Sequence, residues 1–349
     1  MATAATMRNE EKGLSAAGWV AVALVVLWLA AWIYQLSVGL QVTGLGQQVV
    51  WGLYIAGFFT AAGAGAGLVA VAVVGGAMGF ATALTRVKLL VLALASFIAA
   101  GVMITMDVGS PLAMWRLVVG FRFESMMTWD FWLLALTFIL TLVLVYQKPA
   151  AAKSGLGWVT LAAAVVLVAA EGWMLSSLAA RPLWSGGQSV VSFLVGAAIG
   201  GQALALLVIP SEADGKLKLG LKAMLWLNLV LVAAEVLSGL IGGSPRGTQE
   251  MLGVLTGTGL WLHVIVGLIV PLVLLVGGRS VKTAAGLAVL GVLLEKLWYL
   301  SAGQQKPWFG ELPLGSYLPS LIEVIAIIGV VAMAALIYRG WSKAALQAN

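Results

Sequence analysis

The chain has 349 residues, of which 62% are hydrophobic and only 9% charged, with a mean hydropathy of +1.07. That composition excludes a soluble globular protein and makes lipid the solvent for most of its surface. The net charge of +6 comes without a basic stripe or a basic-aromatic module, so it excludes nucleic-acid binding and fits the cationic bias of cytoplasmic membrane loops.

A membrane-spanning helix needs ~20 mostly apolar residues. The first such run, residues 16–34, follows a mixed-charge start (Arg8, Glu10, Glu11, Lys12) and has no small-residue cleavage site before Gln35. It reads as a retained helix rather than a removed signal. Further runs cover residues 50–80, 87–106, 128–146, 156–178, 188–209, 218–241, 255–276, 284–300 and 317–338, giving ten spans. The weakest division is Gly277-Gly278-Arg279-Ser280-Val281-Lys282, where paired glycines and two cations predict a tight turn. Residues 1–49 form an N-terminal segment with an extra helix, 50–338 a helical membrane core, and 339–349 a short tail.

Lys and Arg accumulate in cytoplasmic loops. With a cytoplasmic N-terminus, thirteen cations fall inside, five outside (Arg116, Arg122, Arg181, Arg246, Lys306), and Lys296 stays within helix nine. Both termini are therefore expected in the cytoplasm. With that orientation the intramembrane acids gather in the outer half. Asp107 ends helix three and Asp130 begins helix four, Glu171 and Glu235 lie about two thirds of the way outward, and Glu295 and Glu323 are near the outer ends of helices nine and ten. His263 sits in the outer-to-middle part of helix eight. A charge at the bilayer centre costs ~2.5–3.5 kcal/mol, so this layer needs pairing, protonation or a wet cavity. Glu295, Glu323 and Asp130 can equally reach the headgroups, whereas Glu171 and Glu235 are expected to face a cavity or proton route. His263 reads as a hydrogen-bonded packing residue, since no second His and no Cys exists to complete a metal site. Glu295 and Lys296 are chain neighbours, and pairing between them is not expected.

Tryptophan repeats the asymmetry, with ten of fifteen (Trp32, Trp51, Trp115, Trp129, Trp132, Trp173, Trp184, Trp261, Trp298, Trp308) towards the outer side. An interfacial belt accounts for most of them, and flat rings are also stacking partners for an aromatic headgroup. Gly63, Gly65, Gly67, Gly196 and Gly200 predict close helix approach.

Several segments carry a resemblance. Trp51-Gly52-Leu53-Tyr54-Ile55-Ala56-Gly57-Phe58-Phe59 continues through Ala62-Gly63-Ala64-Gly65-Ala66-Gly67. Asp107-Val108-Gly109-Ser110-Pro111 is followed by Ser125-Met126-Met127-Thr128-Trp129-Asp130, then by Arg181-Pro182-Leu183-Trp184 with Ser192-Phe193-Leu194. Glu235, Trp261, Gly267, Pro271 and Tyr317-Leu318-Pro319-Ser320-Leu321-Ile322-Glu323 complete the set. In this order they resemble the membrane subunits of the NrfD/polysulfide reductase family, in its longer ten-helix branch. The sequence departs from some relatives in lacking a His in or near helix two, and has Met where the element opening helix four usually carries Pro.

The resemblance implies an all-α polytopic membrane protein with a core of two four-helix bundles, in a bacterial or archaeal cytoplasmic membrane. It implies a respiratory oxidoreductase subunit that binds menaquinone or ubiquinone and exchanges electrons with an iron–sulfur partner of a molybdopterin catalytic subunit, or with a multihaem cytochrome. The chain itself is expected to carry no haem, iron–sulfur cluster or metal. Asp107 is the expected proton partner and Asp130 the competing base. Trp51 and Trp129 are expected as walls, with Tyr54 and Ser125 orienting the headgroup by hydrogen bonds and Met126 beside it. Glu171, Glu235 and His263 are a candidate proton route, exchanging with the outer side rather than pumping. Arg116, Arg122, Arg181, Lys306 and Trp308 are candidate docking contacts. The alternative is a secondary transporter or proton-translocating subunit with an outward polar chamber, although transporter sites normally lie at the midplane.

Overall fold

The computed structural model describes residues 14–147, 155–178, 180–209, 214–242, 245–304 and 317–348. It is an all-α polytopic membrane protein, with ten helices long and apolar enough to cross a bilayer. They are α1 (Ala16–Val38), α2 (Leu53–Ala77), α3 (Ala83–Asp107), α4 (Met126–Tyr146), α5 (Gly155–Ser176), α6 (Gln188–Val208), α7 (Asp214–Leu237), α8 (spanning Thr258–Val276), α9 (Val281–Gln304) and α10 (Leu321–Ala348). The face on which α1 ends and α2 begins is the outer face of the charge count.

Helix α2 is the axis of the fold, packing against α3, α5, α6, α9 and α10. Small residues allow this. A Cβ on Gly67 would lie 2.0 Å from the Ala197 carbonyl oxygen, and one on Gly201 would lie 2.2 Å from the Gly67 carbonyl carbon. Helices α2 and α6 therefore touch backbone to backbone, the close approach expected where lipid supplies no hydrophobic drive to association. The expected small-residue face on α6 is rotated by one residue. Ala197, Gly200 and Gly201 meet α2, whereas Gly196 faces Val292, Glu295 and Lys296 on α9. Helix α1 lies outside the core against α10 and is mostly lipid-exposed.

The termini show where apolar periodicity misplaced boundaries. Residues 50–52 and 317–320 are not helical; side-chain hydrogen bonds fix their backbone instead. Between α7 and α8 a further helix, Pro245–Thr256, was not expected because its sequence is largely polar; Met251 and Val254 are buried on it. Helix α7 runs on into a π-helical turn, Ser238–Gly242, and α8 contains a longer one, His263–Ile269. Pro271 gives a local cause for the second, because it lacks the N–H that would bond to Gly267 and its ring presses on that carbonyl. Gly267 and Gly291 then allow α8 and α9 into backbone contact. Arg86 is buried and donates from Nε to the Ala72 carbonyl at 3.1 Å, tying the start of α3 to the last turns of α2.

Gly201→Ala should cost about 1–3 kcal/mol, since a methyl group placed on backbone forces the helices apart. Thermal unfolding in detergent should show a lowered midpoint, and Gly286→Ala, where a Cβ meets open space within a helix, should leave it unchanged or raise it.

Candidate functional site

At the outer end of α1, α2, α3 and α10, polar side chains satisfy one another in a largely apolar setting. The Tyr54 hydroxyl donates to Gln35 Oε1 at 2.6 Å, and Gln35 Nε2 donates to the Met106 carbonyl at 3.0 Å. Trp28, stacked on Trp32 with ring centroids 6.1 Å apart, directs its indole N–H to Met106 Sδ. Glu323 is fully buried, so it does not reach the headgroups. Its Oε1 accepts from the Tyr317 hydroxyl at 2.7 Å, and its Oε2 accepts from the backbone N–H groups of Gly44 at 2.7 Å and Ser320 at 2.8 Å. Tyr317 also receives the Leu53 N–H at 2.7 Å, which fixes the first turn of α2. Burial and the Glu323 carboxylate push the Tyr317 phenol upward, so it stays neutral and able to donate.

Asp107 closes α3 beside this network, within electrostatic range of Tyr54 and Glu323. Its Oδ1 is buried with no hydrogen-bond partner among the described residues. A polar atom enclosed without a partner is costly, and here it sits next to a tyrosine whose own hydroxyl is already committed.

A second clamp stands next to the first. Gln304, at the end of α9, accepts the N–H groups of Val50 and Trp51 on Oε1, both at 2.9 Å, and its Nε2 donates back to the Trp51 carbonyl at 2.8 Å. Trp51 stacks on Trp184 at 5.9 Å, and Trp184 donates to the Tyr299 carbonyl at 2.8 Å. Half-buried Arg181 donates to the carbonyls of Gly303 and Gln304, at 3.3 and 3.2 Å, and so satisfies the last turn of α9.

The residues that the sequence grouped have different neighbours in the structure. Asp107, Tyr54 and Trp51 lie with the clamps. Asp130 is buried on α4, within electrostatic range of fully buried Glu171 on α5. Asp130 Oδ1 and both Glu171 oxygens lack hydrogen-bond partners among the described residues. Ser125 is the N-cap residue of α4, and Met126 begins that helix. Trp129 is partly exposed against Phe121 and Phe123, its indole N–H bonded to the Phe123 carbonyl at 3.0 Å.

The remaining ionisable groups form a third cluster. Glu295, 3% exposed, is ion-paired with Lys296 at 2.9 Å. This corrects the expectation drawn from their adjacency, because the long lysine stem folds back into the same interior and sets Nζ 3.6 Å from the centroid of the Phe193 ring. Ser192 and Asn228 also donate to Glu295, at 2.6 and 3.0 Å. His263 is fully buried with both ring nitrogens in contact with polar partners, as expected of a packing histidine. Half-buried Glu235 lies two turns beyond Asn228 on the same face of α7. Arg116 and Arg122 are exposed beside Phe123 and Leu112, whereas Lys306 and Trp308 lie outside the described residues.

Sequence reading missed Gln35 and Gln304 as structural centres. Their signal was an amide within or at the end of an apolar helix, where each unsatisfied polar group is expensive. Glu323→Ala removes the acceptor for Tyr317, Gly44 and Ser320, and should cost about 3 kcal/mol or more. Limited proteolysis should then cut within residues 39–52 faster, while Glu323→Gln, which keeps one acceptor oxygen, should show the smaller effect.

The polysulphide reductase NrfD family matches residues 41–307 of this chain. The chain is also 29% identical to a Halobacterium salinarum protein provisionally named as a membrane subunit of dimethyl sulfoxide reductase, over 92% of this chain and 89% of that protein. With its ten apolar helices and the matched span covering most of the sequence, this chain belongs to the NrfD family of membrane proteins.

Proposed function

We propose that this chain is the quinone-reactive membrane subunit of a multi-subunit respiratory reductase in a bacterial or archaeal cytoplasmic membrane. Family membership supports a subunit role, and so does the name of the Halobacterium relative. The chain has no Cys, so any iron–sulfur relay belongs to a partner, itself joined to a molybdopterin catalytic subunit or a multihaem cytochrome.

The observation that carries the reading is Asp107 Oδ1, a buried acceptor with no partner among the described residues, at the outer edge of the bundle. Menaquinone or ubiquinone, when bound, supplies two-electron chemistry coupled to two protons. The residues fit such a group. Asp107 offers an acceptor for a ring hydroxyl proton, and a general base must stand within hydrogen-bond reach of the proton it takes. Tyr54 is held by Gln35 and so presents a fixed phenol edge. The Trp51–Trp184 stack supplies a flat apolar wall, anchored by Gln304. Ser125, Met126 and Trp129 at the start of α4, a helix that packs against α3, are assigned to enclosing the headgroup. Asp130 is the competing base, and its position with Glu171 suits it better to the proton route formed by Glu171, Glu235 and His263. That route serves proton exchange with the outer side rather than full translocation. Arg116 and Arg122, exposed on the loop between α3 and α4, are assigned to docking the electron-transfer partner, with Lys306 and Trp308 as further candidates. Arg181 contributes less, because it caps α9.

Asp107→Asn should lower quinol-dependent turnover by on the order of 100-fold or more, the size expected for loss of a proton acceptor. The complex should still assemble and retain activity with a soluble redox dye that bypasses the membrane subunit; unchanged quinol turnover refutes the role. Reversing the charge of Arg116 and Arg122 together should weaken co-purification of the partner and reduce the salt dependence of its association. Unaltered recovery at all salt concentrations would remove these residues from the interface.

A further inference from the structure

The cluster on α6, α7, α8 and α9 contains a hydrogen-bond conflict that depends on one proton. Gly291 offers a carbonyl oxygen to His263 Nδ1 at 2.9 Å, and a carbonyl can only accept, so Nδ1 carries a hydrogen. Across the ring, Nε2 faces Asn228 Oδ1 at 3.4 Å, longer than an ordinary hydrogen bond. On its other side Asn228 donates from Nδ2 to Glu295 Oε2 at 3.0 Å. In a neutral His263 with Nδ1–H, Nε2 is an acceptor and meets another acceptor. Rotating the amide relieves that end but turns Oδ1 toward the Glu295 carboxylate, setting two acceptors against each other there. With Glu295 ionised and His263 neutral, neither orientation of Asn228 satisfies both neighbours.

One added proton resolves the conflict in two ways. If it sits on Nε2, His263 donates to Asn228 Oδ1 and Asn228 donates to Glu295, the arrangement seen. If it sits on Glu295 Oε2, the carboxyl donates to Oδ1 of the rotated amide and Asn228 Nδ2 donates to the neutral imidazole. The two states differ by one proton, lost from Nε2 and gained at Oε2, with the amide turned and no electron moved. We infer that Asn228 is a reversible amide bridge through which His263 and Glu295 hold a single proton in common. This makes Asn228 and Glu295 working members of the proton route proposed above, and it rests on that reading for its role in turnover, though not for its existence.

The surroundings suit a shared proton. Helices α7 and α9 pack against the π-helical turn that begins at His263, and π-bulges inside α-helices frequently mark functional sites. The charged groups they turn toward the cluster are Glu235 from α7 and Glu295 and Lys296 from α9, while Glu171 approaches Lys296 from α5. Lys296 neutralises Glu295 in the found state, and Glu295 is the acid whose charge reaches the imidazole. Ser192, hydrogen-bonded to Glu295 Oε1, can turn its hydroxyl as the carboxyl changes state.

His263 is the only histidine of the chain, so histidine-selective isotope labelling gives one imidazole signal in the full chain reconstituted in bilayers. Solid-state nuclear magnetic resonance over a pH series should show an imidazolium at low pH and, at high pH, the neutral form with its proton on Nδ1, the tautomer less common in free histidine. Glu295→Gln supplies a side-chain amide that satisfies Asn228 without a proton, and should lower the titration midpoint at least tenfold in proton affinity. In the Asn228→Leu background the same change should shift it less than threefold, because the bridge is gone. Equal shifts in both backgrounds, which through-space charge alone would give, overturn the proposal. So does a neutral wild-type imidazole protonated on Nε2, or one that never becomes imidazolium while the protein stays folded. If Asn228→Leu fails to assemble, Asn228→Ser serves for the cycle, and the wild-type tautomer decides independently. The readout needs no quinone, so a correct titration with unaltered quinol turnover in Asp107→Asn would leave this bridge standing and remove the quinone reading.

Discussion

A polar group that lipid cannot solvate must find its partner inside the protein, and that constraint organises this molecule. It is most visible at the outer ends of the helices, where the chain leaves regular structure and its backbone groups lose their usual partners. Glu323 receives three donors from two separate segments, and Gln304 makes both sides of a bridge to Val50 and Trp51. Arg181 performs the same service for the last carbonyls of α9. Each of these side chains is charged or carries an amide, because only such groups can meet several backbone partners at once.

The same satisfaction makes the exceptions informative. Most polar atoms around the outer cluster are committed, so the buried oxygen of Asp107 stands out as capacity left over. The Asp130–Glu171 pair is another such place, with oxygens that lack a hydrogen-bond partner among the described residues. Between these extremes lies the Glu295–Asn228–His263 chain, in which every group has a neighbour but the donors and acceptors fit only when a proton is counted in. The three regions are built on different helices and ask for different chemistry, a proton acceptor at the edge, an unpaired acid pair, and a matched relay.

The ten spans were legible because membrane helices announce themselves by composition alone, and the acids were legible because charge is rare in this chain. What could not be read was which of those acids share a neighbourhood. Asp107, Ser125 and Asp130 are close in the chain and look like one site, yet burial draws Asp130 toward α5 and leaves Asp107 with α1 and α10. Glu323 has the sequence position of a headgroup-reaching acid, but its partners are Gly44 and Tyr317, and contacts across such separations leave no trace in local periodicity. The Glu295–Lys296 pair misled for a related reason. Helical geometry sets the directions of the Cβ atoms, and a lysine with four methylenes can reverse its direction by the time it reaches Nζ. Helix Pro245–Thr256 escaped because its polar sequence gives no membrane signal.

The glycine seam between α2 and α6 also has a consequence for how this protein can move. Where main chain rests directly on main chain, no pliable side chain is left to absorb sliding or tilting, so the central pair behaves as one welded beam. Alternating access by rocking halves would have to shear that weld, whereas a rotating amide, a turning hydroxyl or a swinging lysine leaves it untouched. The hydrogen-bonding side chains around it can thus rearrange without disturbing that frame.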